Sequence, residues 1–280
     1  MNIKGVIIAA GYGTRLLPFT KTVSKELAPL GIRPSIDYII REFVNAGLKD
    51  IVVVTSRQKR DLENYFDHNF EIETFLKQKG KEKELEAIKN YDINVFFVRQ
   101  KCMRGTGDAL LLTKPLLEGH TFVVAFPDDI DPTLSLTSSL IDMYKKTNLN
   151  VLSGFTVEKK DVSRYGIIKP DGNKVCSIVE KPSIEDAPSN IASMGRYLFT
   201  SEVFDELEEA KKYTSPDKEF FMTDAIERLA KKNKVVYVMA EKRLDTGSPD
   251  AYIKSFLEIV YIENKDIFVR FANEKGFKHV

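Results

Sequence analysis

The 280-residue chain has only two cysteines, Cys102 and Cys176. They are too few for a disulfide framework and stand at no metal-ligand spacing, so both read as inert core or loop thiols. Histidine is nearly as sparse. His68, His120 and His279 are scattered, which leaves little from which to build a histidine metal site or a serine-type catalytic triad. An excess of one charge is missing too. Charged residues are 30% of the chain, yet the net charge is +1, which argues against a dominant nucleic-acid or membrane-surface role. No apolar run reaches membrane length, and the N-terminal one is short and leads into a polar glycine loop. Repeats, low-complexity tracts and a clean interdomain linker are also absent. The expectation is a cytoplasmic enzyme, long enough for ample core, in one continuous domain over residues 1–280.

What the chain does contain is an alternation of strand and helix signals. Val6 to Ala9 reads as a buried strand that breaks into Gly11-Tyr12-Gly13-Thr14-Arg15. Pro34 opens a helix with Ile36, Ile39, Ile40, Phe43 and Val44 on one face. Ile51 to Thr55 is a β-branched strand. Gln58 to Phe66 and Glu71 to Ile88 read as helices, the second a single charged surface segment. Val95 to Val98 is a strand, Gly107 opens a helix with Ala109 to Leu112 buried, and Thr121 to Phe126 is a strand ending at Pro127-Asp128-Asp129. This order predicts an α/β fold with a mostly parallel sheet and helices on both faces. Gly11, Gln100 and Asp128 all fall just beyond strand ends, where such sheets bind ligands. In the second half, Val151 to Val157, Ile167 to Lys169, Val175 to Val179, Met194 to Phe199 and Val235 to Met239 read as strands, with Asp171-Gly172 as a hairpin turn. Ala251 to Phe271 reads as one long amphipathic helix that packs on the domain or on a second subunit; Glu263 interrupts its apolar face and Ile267 resumes it, so a bend or departure from the core is expected there. We therefore expect a nucleotide-binding half over 1–150, a small sugar-side subdomain over 151–247, and a C-terminal helix over 248–280.

Several residues carry candidate chemistry. Gly11 and Gly13 permit a sharp turn and leave amides bare for an anion; Thr14 adds a hydroxyl and Arg15 a forked permanent charge. The same spacing serves a plain tight turn, and it completes neither a dinucleotide fingerprint nor a P-loop, since Leu16 stands at the third glycine's place. Asp128 is well placed for a divalent cation that takes oxygen ligands, and equally for a turn or helix cap. Asp245 in Asp245-Thr246-Gly247 is a second carboxylate past a strand, or another turn. Glu180 can accept from two sugar hydroxyls and Lys181 can hold a phosphate, or both are a solvated strand end. Gln100, ahead of Gly105, offers an amide to a base edge.

Taken in order, these pieces resemble the sugar-nucleotide pyrophosphorylase (nucleotidylyltransferase) family, most closely its bacterial UTP–glucose-1-phosphate uridylyltransferase group. The resemblance rests on Ala9 to Pro18, which matches Ala-Ala-Gly-x-Gly-Thr-Arg-x-x-Pro, and on Ser24-Lys25-Glu26-Leu27, Arg99-Gln100, Gly105-Thr106-Gly107 and Asp128-Asp129. It continues through Ser163-Arg164-Tyr165-Gly166, Glu180-Lys181-Pro182, Asn190 with Gly195-Arg196-Tyr197, Thr223-Asp224-Ala225-Ile226 and Asp245-Thr246-Gly247. Any one is weak, but the ordered set spans almost the whole chain.

The resemblance implies a Rossmann-like three-layer α/β/α nucleotidyltransferase fold. It also implies Mg²⁺-dependent attack of glucose 1-phosphate on the α-phosphorus of UTP, giving UDP-glucose and pyrophosphate. It assigns Mg²⁺ to Asp128 and Asp245, and the triphosphate to Arg15 and Lys25. Lys181 takes the sugar phosphate, Glu180 and Gly166 the hexose, and Ala9, Ala10, Gly11, Gly13, Thr14, Gln100 and Gly105 the nucleotide. It implies a homo-oligomer, dimer or tetramer, with no nucleic-acid or membrane partner. Three features depart from the pattern. Ser24 replaces the usual proline and is expected to loosen that turn; Asp108 stands where the group often has histidine; and Met103-Arg104 is atypical beside the base pocket. A dTTP-using or other-hexose enzyme and a non-catalytic regulatory paralogue are the alternatives.

Overall fold

The computed structural model describes residues 2–215 and 217–277; His279 lies outside the described residues. The strands of the main sheet are β1 (Lys4–Ile8), β2 (Asp50–Thr55), β3 (Asn94–Arg99), β4 (Phe122–Ala125), β5 (Asn150–Thr156), β6 (Gly166–Asp171), β7 (Lys174–Glu180), β8 (Ile191–Phe199) and β9 (Val235–Met239). They lie side by side in the order β3-β2-β1-β4-β8-β5-β9-β7-β6, with β8 also touching β6. The β3-β2-β1-β4 stretch is parallel throughout, and β8 and β7 run against their neighbours. The strands of the second half thus extend the same sheet.

Alternate side chains along β1 go to opposite faces, as pleating requires. Val6 joins one core with Val52, Val54, Phe122 and Val124, and Ile7 joins the other with Ile51, Val53 and Val123. The first core is covered by helices Thr106–Leu111, Glu202–Lys211 and Met222–Lys231, the second by Ser35–Asn45, Leu136–Thr147 and Pro249–Glu263. Three layers result. The connections leave β1 for one side of it through β2 and β3 and for the other through β4, so a crevice opens beyond the carboxyl ends of β1 and β4.

Several element expectations need correction. Glu71 to Ile88 is two helices, Phe70–Gln78 and Glu82–Ala87, because Gly80 turns the chain at φ +62°. Leu112 is exposed rather than buried, since the Thr106–Leu111 helix ends just before it. The C-terminal segment is likewise two helices, Pro249–Glu263 and Lys265–Glu274, broken at Asn264. Glu263 interrupts the apolar face because its carboxylate accepts from Tyr38 Oη (3.0 Å) and faces Arg41 (3.6 Å) on the first helix. Helices Leu136–Thr147, Glu202–Lys211 and Met222–Lys231 fill stretches to which the sequence pattern assigned no element. Cys102 and Cys176 are exposed free thiols. No helix among the described residues is long and apolar enough to cross a membrane.

Candidate active site

Beyond β1 the backbone runs through buried Ala9 and Ala10 into the glycine loop. Gly13 sits at φ +69°, where a side chain would be strained and its Cβ would stand 3.1 Å from Thr20 and 3.3 Å from Lys25. The Thr20 hydroxyl donates to Gly13 O at 2.8 Å and closes the loop. Gly11 has no such constraint. Nothing in the protein lies within 4 Å of its would-be Cβ, so the space over this backbone is open to a ligand. Thr14 and Arg15 begin a short 3-10 turn and are exposed, and Arg15 makes no ion pair among the described residues.

The next turn holds Lys25 over the end of β4. Ser24 does not loosen this turn. Its N–H and its hydroxyl donate to the two carboxylate oxygens of Asp61, each at 2.6 Å, and a proline would lack the first donor. Behind it the buried Lys59–Glu26 pair, at 2.6 Å, fixes the other side. Lys25 Nζ lies 2.7 Å from Asp128 Oδ2. Burial alone would lower the lysine's pKa, but Asp128, with Glu26 behind it, outweighs burial and raises it. Desolvation would raise the Asp128 carboxyl, and the Lys25 charge overturns that and holds it below the usual range.

Asp128 and Asp245 converge. Asp245 pairs across a two-strand ladder with Asp129, and Thr246 N–H donates to Asp128 O at 2.9 Å. A Cβ on Gly247 would stand 3.1 Å from Asp245 Oδ1 and 3.4 Å from Asp128 Oδ2, so both oxygens border one small space. No cluster of three or more His, Cys, Asp or Glu side chains suited to a metal occurs among the described residues. Two carboxylates at the rim of an open crevice fit a cation that completes its shell with water and ligand phosphates, not one caged by protein.

Asp129 belongs to the scaffold. Its Oδ2 accepts from Gly195 N–H at 2.8 Å, its Oδ1 accepts from Arg243 Nε at 2.6 Å, and Arg243 Nη2 pairs with it too. Desolvation, added to repulsion from Asp128 and Asp245, raises the Asp129 pKa even though Arg243 opposes it. A Cβ on Gly195 would collide with Asp129 Oδ2 at 2.6 Å and Phe126 at 2.7 Å. Arg196 beside it is fully buried, is held by both oxygens of Glu42 (3.0 and 2.8 Å), and donates to Asp129 O at 3.1 Å. The Gly195-Arg196 pair therefore fixes the turn that carries Asp128.

The sugar-side candidates form a second group on the β6–β7 hairpin. Glu180 pairs directly with Gly166 across the ladder, and a Cβ at Gly166 would press on Glu180 Oε2 at 3.2 Å. Desolvation raises the Glu180 pKa, and Lys181 opposes it only in part. Lys181 takes φ +46°, donates its N–H to Tyr165 O at 3.0 Å, and leaves its side chain half exposed. The Arg164-Tyr165 segment joins the two groups. Arg164 Nη2 lies 3.8 Å from Asp245, and Arg243 stacks over Tyr165 and Phe155 while donating to Tyr165 Oη at 3.4 Å.

The base-side candidates form a third group. Gln100 is buried beyond β3, and its Nε2 donates to Gly105 O (3.2 Å) and Asp108 Oδ2 (3.3 Å); Asp108 Oδ1 also pairs with Lys211 at 2.8 Å. Gly105 must be glycine, with φ +97° and a Cβ position only 2.3 Å from Phe220 O.

The structure thus brings Lys25 to Asp128, Asp128 to Asp245, Gln100 to Gly105 and Glu180 to Gly166. Among the described residues neither Arg15 nor Lys181 pairs with Asp128 or Asp245; the carboxylate beside Lys181 is Glu180, at 3.8 Å. Sequence reasoning missed Arg243, Asp61 and Glu42, and also Phe221, whose ring centre lies 4.9 Å from Lys181 Nζ. Arg243, just ahead of the two-residue strand Leu244–Asp245, had only its closeness in sequence to Asp245 as a signal.

Residues 4–260 match the family described as nucleotidyl transferase. The chain is 40% identical over 271 residues to a UTP–glucose-1-phosphate uridylyltransferase of Streptococcus pneumoniae serotype 4, covering 91% of this chain and 89% of that protein. Among solved structures it is similar to a UDP-glucose pyrophosphorylase of Acinetobacter baumannii (TM-score 0.87, 33% identity, 98% of this chain and 99% of that one). A UTP-bound UGPase from the same organism superposes equally well (TM-score 0.87, 32% identity, 100% of each chain).

Proposed function

The chain belongs to the nucleotidyl transferase family, and on that premise we propose that it makes UDP-glucose and pyrophosphate from UTP and glucose 1-phosphate. The observation that carries this reading is the convergence of Lys25, Asp128 and Asp245 beside an open glycine loop at the sheet's switch point. Within the single domain, residues 1–150 serve the nucleotide and 151–247 the sugar phosphate.

An oxygen of the sugar phosphate attacks the α-phosphorus. A new P–O bond forms as the α–β bridge breaks, and pyrophosphate leaves with the bonding pair. The nucleophile is already an anion at neutral pH, so no general base is needed, which agrees with the scarcity of histidine. The barrier is charge repulsion and alignment. Ala9, Ala10, Gly11, Gly13 and Thr14 let the nucleotide lie against the backbone, with Gln100 and Gly105 at the base. Arg15 and Lys25 take the triphosphate, Lys181 the sugar phosphate, and Glu180 and Gly166 the hexose. Mg²⁺, held by Asp128 and Asp245, would supply charge neutralisation on the phosphates. Exposed Ile253, Leu257 and Ile262 on the Pro249–Glu263 helix support a homo-oligomer.

A second reading, a dTTP-using or other-hexose transferase, draws on Asp108, whose carboxylate engages Gln100 where a base would be read. Initial rates with UTP and dTTP against glucose, galactose and mannose 1-phosphates separate the two. UTP with glucose 1-phosphate giving the highest kcat/KM supports the first, and any other best pair replaces it.

A further inference from the structure

We propose that Phe221 is a positioning residue that aims Lys181 at the sugar phosphate, an inference that rests on the reading of Lys181 given above. Lys181 follows the last residue of β7, and its backbone is left-handed at φ +46°, a conformation most side chains avoid. Its side chain is 52% exposed and ends a four-carbon stem, so without a guide the ammonium would sweep through solvent. The guide is the Phe221 ring, whose centre lies 4.9 Å from Lys181 Nζ. Glu180 Oε1, at 3.8 Å, limits the ammonium on another side.

Phe221 is itself held from the nucleotide side. Phe220 N–H donates to Arg104 O at 2.8 Å, Gly107 N–H donates to Phe220 O at 2.9 Å, and Met222 N–H donates to Thr106 Oγ1 at 3.1 Å. The Phe220 ring fills the space that a Cβ on Gly107 would need, 2.7 Å away, and the Phe220 backbone does the same at Gly105. Of these three consecutive residues the outer two, Phe220 and Met222, are thus fastened to the loop that flanks Gln100. The middle one presents its aromatic ring to the lysine of the other half-site. One short segment therefore spans the base loop and Lys181, and the need for glycine at Gly105 and Gly107 follows from it.

The test compares Phe221→Leu, which keeps bulk and loses the π face, with Phe221→Tyr, which keeps both. Phe221→Leu should raise KM for glucose 1-phosphate by about three- to five-fold, the range expected for a partly exposed cation–ring contact. KM for UTP should stay unchanged, and Phe221→Tyr should behave as the wild type. Added to Lys181→Ala, Phe221→Leu should cost nothing further. Equal rises in both KM values, or a full additional loss on top of Lys181→Ala, would overturn the inference and leave Phe221 a packing residue. A readout independent of turnover is the ring-current shift of the Lys181 ε-methylene protons, expected in the wild type and Phe221→Tyr and lost in Phe221→Leu. A wild-type chain that makes no UDP-glucose would sink the proposed reaction, and the ring-current comparison would still decide the placement of Lys181.

Discussion

The Lys25 ammonium lies 2.7 Å from Asp128 Oδ2, and each group holds the other in its charged form. Asp128→Asn keeps the shape of the side chain and removes its charge. It should cut turnover by at least about two orders of magnitude, the scale of losing one electrostatic stabiliser. The pair is only partly buried, so the loss of stability should be no more than about 1 kcal/mol. Steady-state kinetics with a thermal melt checks both; near-normal activity with Mg²⁺ removes the metal assignment.

Lys25→Ala separates the nucleotide phosphates from the sugar. With the ammonium beside the triphosphate, kcat should fall while KM for glucose 1-phosphate stays near its original value. If that KM alone changes, Lys25 serves the other substrate.

Ser24 predicts a reversal of the usual effect of a family-typical residue. Ser24→Pro deletes both donors to Asp61 and leaves its carboxylate without them. It should destabilise the protein by about 1–3 kcal/mol, and Asp61→Ala should cost a similar amount. The two together should cost less than their sum, because they remove the same contacts. Urea unfolding of the four proteins reads this directly.

The Glu42–Arg196 pair is fully buried and reaches the Asp128 turn through Asp129 O. Arg196→Met leaves Glu42 charged and unpaired, which should cost about 3–5 kcal/mol. At a temperature where the variant remains folded, its apparent Mg²⁺ affinity should fall as well. Loss of stability with unchanged Mg²⁺ dependence would confine the pair to packing.

Glu180 predicts a pH signature. Burial raises its pKa, so as pH falls the carboxylate is lost earlier than an ordinary glutamate would be, and KM for glucose 1-phosphate should rise with it. The sugar phosphate's own second ionisation, near about pH 6, adds to that limb, and the comparison with Glu180→Gln isolates the glutamate's part. The stability sign is opposite to that of a paired carboxylate. Because the folded pKa lies above the unfolded one, stability falls as pH rises between the two, and Glu180→Gln should remove that fall.

The sheet was legible because Val6 to Ile8, Ile51 to Val54 and Phe122 to Ala125 are apolar runs buried on both faces. The helices Glu202–Lys211 and Met222–Lys231 were harder to see because charge dilutes their apolar stripes. Val203, Phe204, Leu207 and Ala210 do keep helical spacing, so the signal was present but weak. The site candidates at strand ends followed from topology and from ordered short motifs. Contacts such as Ser24–Asp61, Arg196–Glu42 and Lys181–Phe221 join residues 37, 154 and 40 positions apart, and no local period encodes such pairings. The Glu263 break shows the same limit, since a charge on an apolar face becomes intelligible only when Tyr38 and Arg41 are beside it.

In the proposed reaction two substrates meet across the Lys25–Asp128–Asp245 cluster with a metal between. Pyrophosphate release from UTP plus glucose 1-phosphate, measured with and without Mg²⁺, tests it most directly. Release should require both substrates and Mg²⁺; release that persists without Mg²⁺, or no release with any nucleotide and sugar phosphate, would overturn this reading.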